Sequence, residues 1–237
     1  MIVAIDGPAG AGKSTIARQL AERLGFAFLD TGAMYRAVAL AALRRGLGDG
    51  DGEAIARLAV SLDIDFDGRR TLLDGEDVSA AIRTSEVTAA VYLAADNVAV
   101  RRRLVDLQRQ IATGRDLVTE GRDQGTVAFP HAECKIFLTA SPQERARRRY
   151  EELVARGESI TFEEVLTQQL ERDQRDATRP VGALVKAADA VEVLTDGLTA
   201  EQVVDRLERF VRERVQGSGF GVQGPSFRGP ESGIRNQ

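Results

Sequence analysis

Gly7-Pro8-Ala9-Gly10-Ala11-Gly12-Lys13-Ser14-Thr15 follows the apolar run Ile2-Val3-Ala4-Ile5 and leads into a segment whose apolar residues Ile16, Leu20 and Leu24 recur at helical spacing. From Gly7 to Ser14 the pattern is G-x-x-x-x-G-K-[ST], a strand-to-helix turn that cradles phosphates. Glycines without Cβ let the backbone curl until successive N–H groups point inward at anionic oxygens. The helix opening near Lys13 adds its positive N-terminus. Lys13 is placed to reach the β- and γ-phosphates of a nucleoside triphosphate, and the Ser14 hydroxyl to coordinate Mg²⁺. Composition alone produces such a match in on the order of one chain in a hundred. The strand before it and the helix after it make chance a far poorer explanation. Gly7 through Thr15 are the expected ATP-binding residues.

Working outward, short apolar runs alternate with helical patterns. Phe26-Ala27-Phe28-Leu29 reads as a second strand, followed by a helix containing Tyr35 to Leu43. Leu117-Val118-Thr119, Lys135-Ile136-Phe137-Leu138 and Val191-Glu192-Val193-Leu194 are three more strands. Ser141-Pro142-Gln143-Glu144 offers an N-cap, a proline at the first helical position and a capping-box glutamate. Thr161 with Glu164 and Thr199 with Gln202 repeat that spacing, which predicts helices near 142–156, 162–178 and 200–214. The expected fold is α/β: a three-layer P-loop sandwich around a five-stranded parallel sheet.

One region breaks the alternation. Leu62-Asp63-Ile64-Asp65-Phe66, then Asp67-Gly68, then Leu72-Leu73 reads as a small antiparallel hairpin inside an insert at about 60–95. The kinase-like domain is expected over 1–215, with a helical lid at about 145–180. The glycine-rich tail 216–237 has no period and is expected to be disordered.

Composition narrows the function. The 237 residues carry a net charge of −4, so no general basic field invites a nucleic-acid polymer. No apolar run approaches the ~20 residues of a membrane span, and the N-terminus lacks a signal-peptide pattern. A single cysteine, Cys134, excludes an internal disulfide framework and suits a reducing cytoplasm. With His131 it makes only one pair of soft ligands, too few for a zinc site. Arginines are numerous, whereas Lys13, Lys135 and Lys186 are the only lysines. Arginine forks suit phosphate oxygens. Arg101-Arg102-Arg103 is not a nucleic-acid patch, since adjacent helical residues diverge and no aromatics are interleaved.

A guanine-reading N-K-x-D run is absent, which removes the GTPase switches. The strand Leu117-Val118-Thr119 runs instead into Glu120-Gly121-Arg122-Asp123. An arginine just past a buried strand near the phosphate loop suggests a second anion beside the first, hence a phosphotransferase.

Asp30-Thr31-Gly32-Ala33-Met34-Tyr35-Arg36 and Gly121-Arg122-Asp123-Gln124-Gly125-Thr126, taken with the phosphate loop, closely resemble bacterial cytidylate kinases. Leu73-Asp74-Gly75-Glu76-Asp77-Val78, Ile82-Arg83-Thr84 and Glu171-Arg172-Asp173 extend the resemblance over roughly 1–215. It implies ATP-dependent phosphorylation of CMP and dCMP by a monomer. Arg36 and Arg122, with Tyr35 and Thr31 beside them, would hold the acceptor phosphate. Arg101 would read the cytosine O2 and N3, and Asp123 its exocyclic amine. Arg172 and Asp176 would contact the sugar, and Arg179 would face phosphate. Lys13, Arg122, Arg148 and Arg149 would stabilise the transferring group, the last two from the lid. Tyr92 stands where the family usually has a serine near the base.

Two readings compete. One is a P-loop kinase for another small acceptor, such as UMP, AMP or shikimate. The other is a binding module that uses ATP as a conformational signal. Under the kinase reading no protein nucleophile is expected, because the acceptor phosphate is already an anionic nucleophile. Closure of lid and insert would exclude water.

Overall fold

The computed structural model describes residues 1–67 and 70–216. The tail expected to be disordered, and the Gly68 turn, lie outside the described residues apart from Gln216. The chain divides into two compact units. One comprises Met1–Phe28, Asp116–Thr178 and the chain from Ala183 onward; the other comprises Leu29–Arg115 and Arg179–Gly182.

The larger unit opens with β1 (Ile2–Asp6), the phosphate loop and α1 (Lys13–Leu24). Gly25, at φ 71°, ends α1, and the Phe26 N–H returns to the Ala21 carbonyl at 2.9 Å. That bond takes Phe26 out of the strand predicted to contain it, so β2 runs Ala27–Asp30. The sequence then forms α2 (Thr31–Arg44), α3 (Gly52–Ser61), β3 (Ile64–Asp67), β4 (Arg70–Leu73), β5 (Glu76–Asp77), α4 (Ser85–Ala90), α5 (Tyr92–Ala95) and α6 (Val98–Ala112). It continues through β6 (Leu117–Gly121), β7 (Cys134–Thr139), α7 (Pro142–Ala155), α8 (Phe162–Thr178), β8 (Val191–Leu194) and α9 (Ala200–Gln216).

The main sheet has the order β2-β6-β1-β7-β8. The β1 pairings with β6 and β7 and the β7 pairing with β8 are all parallel. This is the five-stranded sheet expected from the alternation. Its central strands are buried on both faces, which is why they read as unbroken apolar runs. Val3 and Ile5, Cys134, Ile136 and Leu138, and Val191 and Val193 alternate along their strands to meet Ile16 and Leu20 of α1 and Val203, Val204 and Leu207 of α9. The helices α7 and α8 pack as a hairpin around Ala146, Leu153 and Val165, with Tyr150 and Phe162 edge to face.

In the smaller unit the expected hairpin is a three-stranded antiparallel sheet, β3-β4-β5. The additional strand comes from a second Asp-Gly turn. Asp74 at φ 49° and Gly75 at φ 82° take the left-handed pair that a tight two-residue hairpin requires. Helices α3, α4 and α5 pack on α2, which is buried along most of its length.

Candidate functional site

In the larger unit the phosphate loop is shaped by close backbone approach. A Cβ on Gly7 (φ 151°) would stand 1.9 Å from the Leu138 carbonyl oxygen of β7. One on Gly10 (φ 77°) would lie 2.8 Å from the Gln169 amide nitrogen of α8. No side chain caps α1 at Gly12, and its first turn carries no acid, so its N-terminal N–H groups remain available to an anion.

Lys13 is 6% exposed and donates from Nζ to the Pro8 carbonyl at 2.8 Å. Burial, followed by the charges of Arg122 and Arg172, lowers its pKa to about 7, against the pull of Glu120 and Asp6. The Ser14 hydroxyl donates to Glu120 Oε1 at 2.7 Å. Glu120 is buried and stood unassigned in the sequence, where the missing clue was its pairing with a residue 106 positions away.

Register brings the segment expected to bind a second anion alongside. Asp6 of β1 pairs with Gly121 of β6, so Arg122 follows β6 beside the start of the phosphate loop. Arg122 donates from Nε to Asp176 Oδ2 at 2.7 Å. Asp176 and Asp123 are both buried. The Arg122–Asp176 pair therefore joins two residues that the sequence assigned separately to phosphate and sugar.

Arg172, Arg175 and Asp176 lie within α8, whereas Arg179 falls beyond its end. Helix α8 ends at Thr178 because Pro180 disfavours helical geometry at Arg179. Arg172 is half-buried and Arg175 exposed. In the smaller unit, Arg179 donates from Nε to Asp96 Oδ1 at 2.7 Å.

The arginines of α7 divide in their contacts. Arg145 is buried, donating to the carbonyls of Ala140 (3.0 Å) and Ala9 (3.1 Å) and pairing with Asp173 at 2.7 Å. Gln169 donates to the same Ala9 carbonyl at 2.9 Å. Arg148 reaches Glu144 at 2.8 Å and the Thr195 carbonyl at 3.1 Å, with a guanidinium nitrogen 3.8 Å from where a Gly12 Cβ would stand. Arg149 pairs with Glu152 at 3.1 Å.

The smaller unit collects the other acceptor-site candidates. Asp30 caps α2 by accepting the Ala33 N–H at 3.0 Å, which fixes the buried Thr31 at the first helical position. Arg36 donates to Thr88 Oγ1 at 2.6 Å. Arg101, 3% exposed, lays its guanidinium 5.3 Å from the centre of the Tyr35 ring and donates to the Ala95 carbonyl at 3.1 Å. Tyr92 directs its hydroxyl to Asp49 at 3.0 Å. Among the described residues no cluster of three or more His, Cys, Asp or Glu side chains could hold a metal, and no helix is long and apolar enough to cross a membrane.

The profile of the family described as Cytidylate kinase matches residues 3–213. A cytidylate kinase from Rhodopirellula baltica is 51% identical over 218 residues, covering 92% of this chain and 95% of that one. One from Pelotomaculum thermopropionicum is 54% identical over 207 residues, covering 85% and 92%. A solved structure of an uncharacterized protein from Eubacterium ventriosum has a TM-score of 0.51 at 12% identity, over 90% of this chain and 98% of that one. At that identity the last likeness speaks for the fold alone.

Proposed function

The chain belongs to the cytidylate kinase family, and from that premise we propose that it transfers the γ-phosphoryl group of ATP to CMP and dCMP. The observation that carries the reading is the β1–β6 register, which sets Gly121-Arg122-Asp123 beside the phosphate loop. Two anion-binding segments on adjacent strands suit a reaction that joins two phosphates.

The chemistry asked of the side chains is positioning and charge neutralisation. Lys13 leaves the Pro8 carbonyl to meet the β- and γ-phosphates of ATP, while residues 7–15 surround them with N–H groups. Arg122 exchanges Asp176 for the acceptor phosphate, with Arg36 as the companion clamp and Tyr35 and Thr31 beside it. Arg101 and Asp123 read the base, Arg172 and Asp176 hold the sugar, and Arg179 faces phosphate. Arg148 is supported as a contact of the transferring group by its place beside Gly12. Arg149 takes that role by leaving Glu152.

The donor set also fits Mg²⁺. Ser14 offers a hard hydroxyl oxygen whose proton is already directed to Glu120, so its lone pairs can turn toward a cation. Bound there, Mg²⁺ would neutralise charge on the β- and γ-oxygens. We read residues 1–215 as one catalytic chain acting as a monomer in the cytoplasm, with 60–95 serving the acceptor and 145–180 the lid.

Arg122→Ala tests the site assignment. It is expected to raise the KM for CMP and lower kcat by about 10²-fold, while ATP affinity stays close to wild type. Loss of ATP binding with an unchanged CMP KM would show that the two phosphate sites are assigned the wrong way round.

A further inference from the structure

Asp6 is a buried ionisable group to which the transfer reaction assigns nothing. It ends β1, one residue before Gly7, and is 4% exposed. Its Oδ1 accepts the Gln124 N–H at 2.8 Å and its Oδ2 the Gly125 N–H at 2.7 Å. Those two N–H groups open a wide π-type turn, Gln124–Ala128, immediately after Arg122-Asp123. The turn is closed by Val127 and Ala128 donating to the Asp123 carbonyl and Phe129 donating to that of Gln124. Thr119 Oγ1 fixes the Gln124 side chain at 2.8 Å. Gly125 has little room: a Cβ there would lie 3.2 Å from the Lys135 side chain and 3.4 Å from Asp6 Oδ2.

The Arg122–Asp123 segment is thus anchored twice. Its leading end continues β6, paired in register with β1. Its trailing end hangs on both oxygens of one carboxylate, which is itself joined directly to the phosphate loop. We propose that Asp6 is a positioning residue for acceptor binding: its carboxylate fixes the Arg122–Asp123 segment against the start of the phosphate loop, so that both phosphate sites keep one register. This rests on the reading of residues 121–125 as acceptor-binding.

Ionisation matters to the hold, because only the carboxylate presents two free acceptors to two N–H groups. Burial raises the Asp6 pKa, Gly125 and Gln124 oppose the rise, Asp123 adds to it, and Lys13 opposes it; the result is about 6. The flanking strands contribute Glu120 from β6 and Lys135 from β7. The Lys135 amine is engaged by the Pro130 carbonyl and by Asp189. The doubly accepting form is therefore present above pH 6 and lost as pH falls through it.

The test begins with turnover of CMP by the wild type, which separates failure of the kinase reading from failure of this one. Amide spectra of the nucleotide-free, ¹⁵N-labelled protein are then followed across roughly pH 5 to 8. The Gln124 and Gly125 signals are expected to move together with one midpoint near 6, and to stay flat in Asp6→Asn. In that variant the CMP KM should rise about tenfold, the cost of one charge-assisted hydrogen bond, with the ATP dissociation constant changed by no more than roughly twofold. Equal losses for donor and acceptor, or an unchanged CMP KM, would overturn the proposal. Wild-type amides that do not titrate together would overturn it even if Asp6→Asn failed to fold.

Discussion

At 6% exposure, with Arg122 and Arg172 acting on it, the Lys13 amine titrates near 7. Burial is the leading cause, and a bound triphosphate reverses its effect by supplying the missing counter-charge. The sign of the pH effect follows. Above pH 7 the free protein holds Lys13 as an amine, whereas the complex holds it as an ammonium, so binding takes up a proton. ATP affinity should therefore fall as pH rises above 7, by up to about tenfold per unit until the pKa of the complex is reached. Calorimetry in buffers of different ionisation enthalpy measures the proton uptake directly. Lys13→Met should abolish that uptake and lower kcat by about 10³-fold with the fold intact. The lysine itself was legible, because its motif is contiguous. Glu120 and Asp6 were not, since their partners, Ser14 at the start of α1 and the Gln124–Gly125 turn after β6, lie 106 and 118 or more residues away.

At the scale of the element, the legible features were those written in local chemistry. Ser141 accepts the Glu144 N–H at 3.2 Å, and Thr161 with Glu164 and Thr199 with Gln202 form reciprocal capping boxes. All three helices start where those residues place them. The start of β2 was harder to read, because a closing hydrogen bond from Phe26 to Ala21 moves it by one residue, whereas α8 ends at Thr178, as the 162–178 prediction has it. The burial of Arg145 was invisible for another reason. Its spacing with Arg148 and Arg149 describes one helix, while its partners at Ala9 and Asp173 lie elsewhere. Gly7→Ala tests how tightly the phosphate loop abuts β7. With Leu138 backbone where the methyl must go, it should cost about 3 kcal/mol and lower the melting temperature by roughly 10 °C. Gly25→Ala, at a turn with open space around its Cβ, should cost only about 1 kcal/mol. Equal effects in a thermal melt would contradict the close-approach argument.

For the whole molecule, the parallel sheet was predictable because its central strands, buried on both faces, read as apolar runs, and five short strand segments alternate with helices. The smaller sheet was half predicted. One Asp-Gly turn announced a hairpin, and a second at Asp74-Gly75 added β5. What the fold does not carry is substrate identity, since P-loop sandwiches support many acceptors. That identity comes from particular residues on that frame and from membership of the family. The central claim is acceptor choice, and it is tested most directly by incubating the protein with Mg-ATP and, separately, CMP, dCMP, UMP, AMP and shikimate while following ADP release. Rapid release with CMP and dCMP, and little with AMP or shikimate, is the result expected here. Slow release indifferent to the acceptor would leave the phosphate loop in place and contradict the cytidylate assignment.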